Sequence, residues 1–114
     1  MRGRTLAGAL VTLAVATGTA IPAIAADGGH SASSHTVTLS HIRFHPGALS
    51  IKRGDTVTWL WQDKGTEHNV TGKGFKSRTM TKGAFSVRFT RAGTFNYHCT
   101  IHVSEGMVGK VVVH

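Results

Sequence analysis

The chain has 114 residues, a formal net charge of +8 at pH 7 and a single cysteine, Cys99. This length allows one small domain and excludes a Rossmann-type nucleotide domain or a barrel enzyme, which needs about 250 residues. One cysteine excludes an intramolecular disulfide, a four-cysteine zinc site and an iron–sulfur cluster held by several thiolates of the chain. Any thiolate chemistry therefore depends on Cys99.

The first 25 residues have the pattern of a secretory signal peptide. Arg2 and Arg4 form a short basic start, residues 6–16 are mostly apolar, and residues 23–25 (Ala-Ile-Ala) have the small-x-small form that signal peptidase cleaves. A membrane anchor is the alternative, but polar residues and a proline interrupt the run before the roughly 20 apolar residues that a spanning helix needs. We therefore predict an exported protein, located in the periplasm, at the cell envelope or outside the cell, whose mature form has no transmembrane span.

The rest of the chain has the alternation of short β-strands. Residues 26–34 are small and polar without periodicity, which predicts a flexible lead-in before a single domain at residues 35–114. Three alternating apolar runs stand out: Val57, Trp59 and Trp61; Phe85, Val87 and Phe89; Phe95, Tyr97 and Cys99. Turn residues separate such runs, and no stretch has sustained helical spacing. The pattern predicts an all-β fold, a Greek-key antiparallel β-sandwich of about 7–8 strands.

Four side chains of the types that bind copper are placed near the ends of these predicted strands. Cys99, His102 and Met107 put a thiolate, an imidazole and a thioether on one loop, and His68 lies between two earlier strand-like segments. Two histidines and a cysteine with a weak methionine are the ligands of a blue-copper site. Taken singly, a buried cysteine or methionine is more often a core residue. The joint spacing favours a metal site.

These motifs and their flanking residues resemble those of the plastocyanin-type cupredoxins, which are small blue-copper proteins. The matching segments are His68-Asn69-Val70, residues 97–102 (Tyr-His-Cys-Thr-Ile-His) and residues 106–111 (Gly-Met-Val-Gly-Lys-Val). Similar turns and strands extend the resemblance to about residues 36 to 113. It implies a cupredoxin-like fold that covers nearly all of the chain after the predicted signal peptide.

The resemblance also implies a cofactor and a set of site residues. One copper ion, cycling between Cu(I) and Cu(II), would be bound by His68, Cys99, His102 and Met107. Asn69 would tie the two ligand-bearing loops together beside the metal. Glu67 and Ile101 stand where many relatives have proline, so two loop stiffeners are missing from this chain.

A short basic segment follows the first predicted ligand and contains no carboxylate. Its charged residues are Lys73, Lys76, Arg78 and Lys82. The simplest interpretation is a solubilising loop, whereas the functional one is a surface that steers an acidic redox partner. Nucleic acid is a poor partner, because the aromatic residues occupy alternating core positions and do not interleave with the basic run. We expect a monomer that docks to a redox protein with an acidic surface.

These observations favour a single-electron carrier that transforms no substrate. The alternative is a copper-binding protein for homeostasis, which would hold or deliver copper without redox turnover; the missing loop stiffeners and the surplus histidines keep it open. An enzyme is disfavoured, because a multicopper oxidase flanks its blue-copper cysteine with histidine on both sides, whereas Thr100 follows Cys99. A dinuclear electron-entry centre would need a second cysteine.

Overall fold

The computed structural model describes residues 31–114, so the predicted signal peptide and residues 26–30 of the predicted lead-in lie outside the described part of the chain. Nine strands follow one another within these described residues: β1 (Ser34–Ser40), β2 (Arg43–His45), β3 (Ala48–Ile51), β4 (Thr56–Trp61), β5 (Thr71–Gly72), β6 (Phe75–Lys76), β7 (Gly83–Arg88), β8 (Gly93–His98) and β9 (Val108–Val113). One 3-10 turn, Val103–Glu105, precedes β9. No helix within residues 31–114 is long and apolar enough to cross a membrane.

The strands form two sheets, and the predicted all-β sandwich is confirmed. One sheet has the order β2-β1-β4-β7 and the other the order β3-β9-β8-β5-β6. Both sheets are mixed rather than wholly antiparallel, because β1 pairs with β4 and β3 pairs with β9 in parallel. Alternation in a sequence indicates which face a side chain occupies, but it carries no information about the direction of the neighbouring strand.

The core lies between the sheets and is built around aromatic rings. Val57, Trp59 and Trp61 of β4 are all buried, as their alternation predicts. The Trp59 ring reaches across to the other sheet, where its centroid lies 5.2 Å from that of Tyr97 and 5.7 Å from that of Phe75. Edge-to-face and offset contacts of this kind add to the stabilisation from burial.

The start of the described chain is fastened by a buried carboxylate. Asp55 accepts a hydrogen bond from the backbone N–H of Ser33 at 2.9 Å and lies 3.0 Å from Nε2 of His35. A buried carboxylate is stable only with such partners. These contacts fix the beginning of β1 beside its parallel neighbour β4.

The loops at one end of the sandwich bring both sheets to the same place. β1 and β4 end in register there, with Leu39 opposite Trp61. From the other sheet, β8 ends at His98 and β9 begins at Val108, so the segment between them forms a loop at that end. The predicted ligands lie on the segments that follow β4 and β8.

Candidate metal centre

Three of the predicted ligands converge on one point. Nδ1 of His68 lies 3.2 Å from Nδ1 of His102, and Sγ of Cys99 lies 3.9 Å from the first nitrogen and 3.7 Å from the second. They are the only group of three or more His, Cys, Asp or Glu side chains within residues 31–114 whose ligand atoms approach closely enough to bind one ion.

The size of this triangle fits a first-row transition metal. A point equidistant from the three atoms lies about 2.1 Å from each of them, within the range of about 2.0–2.3 Å for zinc–nitrogen and zinc–thiolate bonds. Two imidazoles and one thiolate in a plane are the donor set of blue-copper proteins. The residues present therefore fit a copper ion in both distance and chemistry.

The loop that carries Cys99 and His102 is closed by its own backbone. The N–H of Cys99 donates to the carbonyl of Met107 at 3.1 Å, and the N–H of Met107 donates to the carbonyl of His102 at 3.2 Å. Gly106 has φ of +87°, a left-handed conformation that glycine adopts without a steric penalty. The side chain of Met107, the last residue of this loop, is fully buried.

Asn69 connects the two ligand-bearing segments. Its Nδ2 donates to Oγ1 of Thr100 at 2.8 Å and to Oγ1 of Thr79 at 3.0 Å. Its Oδ1 accepts from the backbone N–H of Thr100 at 3.0 Å and from the hydroxyl of Thr71 at 3.1 Å. The amide thus spans from the residue after His68 to the residue after Cys99.

The backbone around His68 is held by groups other than a proline. Its N–H and carbonyl exchange hydrogen bonds with Met80 at 2.9 and 3.0 Å. The same carbonyl accepts the indole N–H of Trp61 at 3.0 Å. Glu67, where many relatives have proline, therefore precedes a residue whose position is fixed by a bridge and a buried indole.

Asp63 is a site residue that the spacing argument did not find. Its Oδ2 lies 2.8 Å from Nε2 of His68 and accepts the backbone N–H of Ile42 at 3.0 Å. The hydrogen bond with His68, followed by that from Ile42, lowers the pKa of Asp63 below its ordinary value. A carboxylate five residues before a histidine has no recognisable motif, since the loop between them must fold back to bring them together.

The predicted basic residues lie at two places relative to the centre. Lys76 and Arg78 line a groove of about 500 Å³ whose other walls include Asn69 and Thr100. Lys73 and Lys82 are exposed but do not line this groove. Only part of the basic segment is therefore placed directly beside the ligand-bearing segments.

Comparisons with known proteins define the class. The family model for copper binding proteins of the plastocyanin/azurin family matches residues 31–114. The chain belongs to this family of small blue-copper proteins, the cupredoxins, and its cofactor is one copper ion.

Individual relatives agree with this assignment. Amicyanin from Paracoccus denitrificans is 39% identical over 85 residues, which are 68% of this chain and 63% of that protein. Halocyanin from Natronomonas pharaonis is 35% identical over 61% of this chain and 47% of that protein. The chain thus spans about half to two-thirds of the length of these relatives. Amicyanin-alpha from Methylorubrum extorquens is 31% identical over 99% of both chains.

The fold is also that of solved amicyanins. The reduced Cu(I) form of an amicyanin mutant at pH 4 superposes with a TM-score of 0.64 at 38% identity and covers 71% of this chain and 82% of that one. An oxidised amicyanin mutant gives a TM-score of 0.62 at 37% identity, with 69% and 80% covered.

Proposed function

We propose that the protein is an exported single-electron carrier whose copper would be held by Nδ1 of His68, Sγ of Cys99 and Nδ1 of His102, with the thioether of Met107 as a weaker fourth ligand. The convergence of the three donor atoms in a triangle of copper-binding size carries this proposal. When bound, copper supplies a one-electron couple between Cu(I) and Cu(II), and this donor set is tolerable to both states. The chain's part is to hold the donors in place during the change of charge.

The burial of the ligands suggests where the electron enters and leaves. His68, Cys99 and Met107 are fully buried, whereas His102 is half-buried. Three exposed large hydrophobic residues, Ile101, Val103 and Val108, lie on or next to the loop of His102. Exposed apolar residues close in sequence to the one accessible ligand suit a redox partner that docks briefly over a small interface and brings its own centre close.

Each ligand contributes through a different property. Cys99 binds as the thiolate, so its thiol proton must leave when copper binds. The two imidazoles would be supplied from separate segments, and the buried thioether of Met107 would tune the potential together with the apolar packing around it. Closure of the loop by backbone hydrogen bonds and the Asn69 bridge keep the donors from relaxing outward.

The basic segment supports a partner with an acidic surface. Lys73, Lys76, Arg78 and Lys82 are all exposed. Because Lys76 and Arg78 share a groove with Thr100, which follows Cys99, charge steering would bring a partner to the copper end.

This steering can be measured with small redox complexes of opposite charge. Reversing Lys73, Lys76 and Arg78 to Glu should slow oxidation of the reduced protein by anionic hexacyanoferrate(III) at low salt. A cationic ruthenium hexaammine complex should react no more slowly with this variant. Reversal of Lys52, Arg53 and Arg91, exposed residues at the opposite end of the sandwich, is the matched control. Equal effects of the two triple variants would contradict the docking proposal.

Copper delivery without redox turnover is the less favoured role. A delivery site must release its ion to an acceptor, yet two of the three converging donors are fully buried. Enzyme activity is not part of the proposal, since the relatives that support it are small copper proteins named amicyanin and halocyanin and the family model is that of the plastocyanin/azurin family.

The decisive experiment is a visible spectrum of the copper-loaded chain through a redox cycle. The domain is titrated with Cu(II), reduced with ascorbate and reoxidised. An intense blue band that bleaches and returns is the expected result, because it reports thiolate-to-copper charge transfer and a reversible couple. A pale protein that binds Cu(I) tightly would overturn the electron-carrier proposal in favour of copper handling.

A further inference from the structure

We propose that Asp63 is a positioning residue that presets His68 as a copper ligand and lowers the reduction potential of the centre. This inference rests on the proposed function, because it assigns the metal to Nδ1 of His68. It concerns the other face of that imidazole, where Nε2 lies 2.8 Å from Oδ2 of Asp63. This role is inferred from the set of hydrogen bonds that Oδ2 of Asp63 makes with Ile42 and His68.

The hydrogen-bond pattern determines which nitrogen of His68 bears the proton. A backbone N–H can only donate, so Oδ2 of Asp63 must accept from Ile42 at 3.0 Å. The same oxygen therefore presents a lone pair to Nε2 of His68, which must carry the proton and donate it. Neutral imidazole has one N–H, so Nδ1 is left with its lone pair directed toward Cys99 and His102.

The burial of both side chains strengthens the hydrogen bond between Asp63 and His68. The His68 side chain is fully buried and that of Asp63 is only 20% exposed. Little water competes for Nε2, and the charge of the carboxylate is screened less than it would be at an open surface. A carboxylate on the outer nitrogen makes an imidazole a stronger donor, which favours Cu(II) over Cu(I) and so lowers the potential.

A strained turn holds Asp63 in place. β1 and β2 are joined by a two-residue hairpin turn in which His41 and Ile42 have φ of +53° and +56°. Positive φ is unusual for any residue other than glycine and most unfavourable for a β-branched one such as Ile42. Its N–H points at Asp63, and the half-buried Ile42 side chain packs against the core.

The same turn also reaches the loop of Cys99 and His102. Nη1 of Arg43 donates to the carbonyl of Ile42 at 2.9 Å and to the carbonyl of Glu105 at 2.8 Å. The turn is thus tied to both ligand-bearing segments, to His68 through Asp63 and to the loop through Arg43. Backbone strain that is held by such contacts is often found where a functional group must be fixed in place.

The first test compares reduction potentials in two variants that each remove one negative charge near His68. Asp63→Asn keeps an acceptor for Ile42 but loses the carboxylate, whereas Glu67→Gln removes an exposed charge from the neighbouring residue. Loss of such a partner costs about 10–100-fold in metal affinity. We expect Asp63→Asn to weaken the binding of Cu(II) about tenfold more than the binding of Cu(I). This difference would raise the reduction potential of the centre by about 59 mV. Equal shifts in the two variants would overturn the proposal, because they would indicate a general charge effect.

The second test needs no copper and so separates this proposal from the electron-carrier function. Nitrogen-15 NMR of the metal-free chain at pH 8 should show His68 protonated at Nε2, and Asp63→Ala should mix the two tautomers. A wild-type His68 protonated at Nδ1 would overturn the proposal even if the copper form is blue. Conversely, the expected tautomer in a chain that shows no reversible colour would leave the role of Asp63 standing and reject the electron carrier. If Asp63→Ala does not fold, the wild-type tautomer and the potential of Asp63→Asn decide.

Discussion

The two segments that bring ligands to the copper centre are held in opposite ways. The loop from Cys99 to Met107 is closed by its own backbone, with hydrogen bonds between its first, middle and last residues. The segment from Gln62 to Asn69 carries one ligand and is held mainly by residues outside it, namely Ile42, Trp61, Met80 and Thr100. The first is closed mainly by hydrogen bonds within itself, and Arg43 and Asn69 add contacts from other parts of the chain. The second has one internal turn bond, from the N–H of Thr66 to the carbonyl of Asp63, and depends otherwise on contacts with residues elsewhere in the chain.

This difference explains how the chain manages without two loop prolines. In the Cys99 loop, Ile101 replaces a common proline where backbone bonds already close the turn. Before His68, Glu67 does so where a backbone bridge and the Trp61 indole fix the ligand. Rigidity at the metal is therefore supplied by two different sets of hydrogen bonds, and each set can be broken separately.

The largest effect is expected inside the loop. Cys99→Ser should abolish the intense blue band entirely, because the colour arises from the thiolate bond to copper. The visible spectrum of the Cu(II)-loaded variant tests this directly. The change is nearly isosteric, so the metal-free fold should persist, as circular dichroism can verify. A variant that stays intensely blue would remove Cys99 from the ligand set.

The next effect falls on the bridge between the two segments. Asn69→Ala leaves the Thr100 N–H and neighbouring hydroxyls without their partner, which should lower the free energy of unfolding by about 2 kcal/mol. Urea denaturation of the metal-free wild type and variant measures this loss in the free energy of unfolding. Asn96→Ala, the same change at an exposed position on β8, should stay within about 0.5 kcal/mol of wild type. Similar losses in both variants would show that the bridge does not stabilise the site.

A smaller effect on stability is expected at the end of the loop. Met107→Leu conserves volume and should cost less than about 1.5 kcal/mol. The reduction potential should nevertheless rise, since a weak donor that favours Cu(II) is lost. Redox titration of the variant measures this rise, with Met80→Leu beside His68 as the matched control. An unchanged potential would assign Met107 to packing alone.

The smallest effect is expected at the base of the loop. The Tyr97 hydroxyl is buried without a hydrogen-bond partner among the described residues, and its ring lies where a Cβ of Gly109 would be. Tyr97→Phe should therefore change the free energy of unfolding at pH 7 by less than about 1 kcal/mol, and in the stabilising direction if at all. Urea unfolding of the two proteins at pH 7 measures the difference.

The free energies of unfolding of wild type and Tyr97→Phe should differ more at alkaline pH than at pH 7. Burial raises the pKa of Tyr97 above its ordinary value of 10.0, and the nearby Trp59 indole opposes only part of this shift. The unfolded chain thus loses the proton first, so this contribution to stability is complete below about pH 10 and declines as the pH rises toward the folded pKa. The wild type should lose stability above pH 10 more steeply than Tyr97→Phe. Parallel curves would contradict the buried, neutral phenol.

The contrast between the two ligand-bearing segments also shows which features of the fold and the site can be predicted from the sequence. Alternation identified β4 and its buried face, and the spacing of Cys99 and His102 identified a loop able to curl around a metal. Neither parallel strand pair was predicted, because pairing direction leaves no periodic signal. Asp63 and Trp61 were missed as supports of His68, since their contacts depend on how a loop without a motif returns to the sheet. The family resemblance supplied Asn69, which composition alone would leave as an ordinary loop residue.

The burial of Cys99 has a consequence for the life of the molecule before it meets copper. Its thiol is fully shielded, and residues 31–114 contain no other cysteine. A thiol that solvent cannot reach is slow to form a bond with another chain or to be converted into a sulfenic acid. The metal-free chain can therefore keep the Cys99 thiol reduced in oxidising surroundings until copper binds.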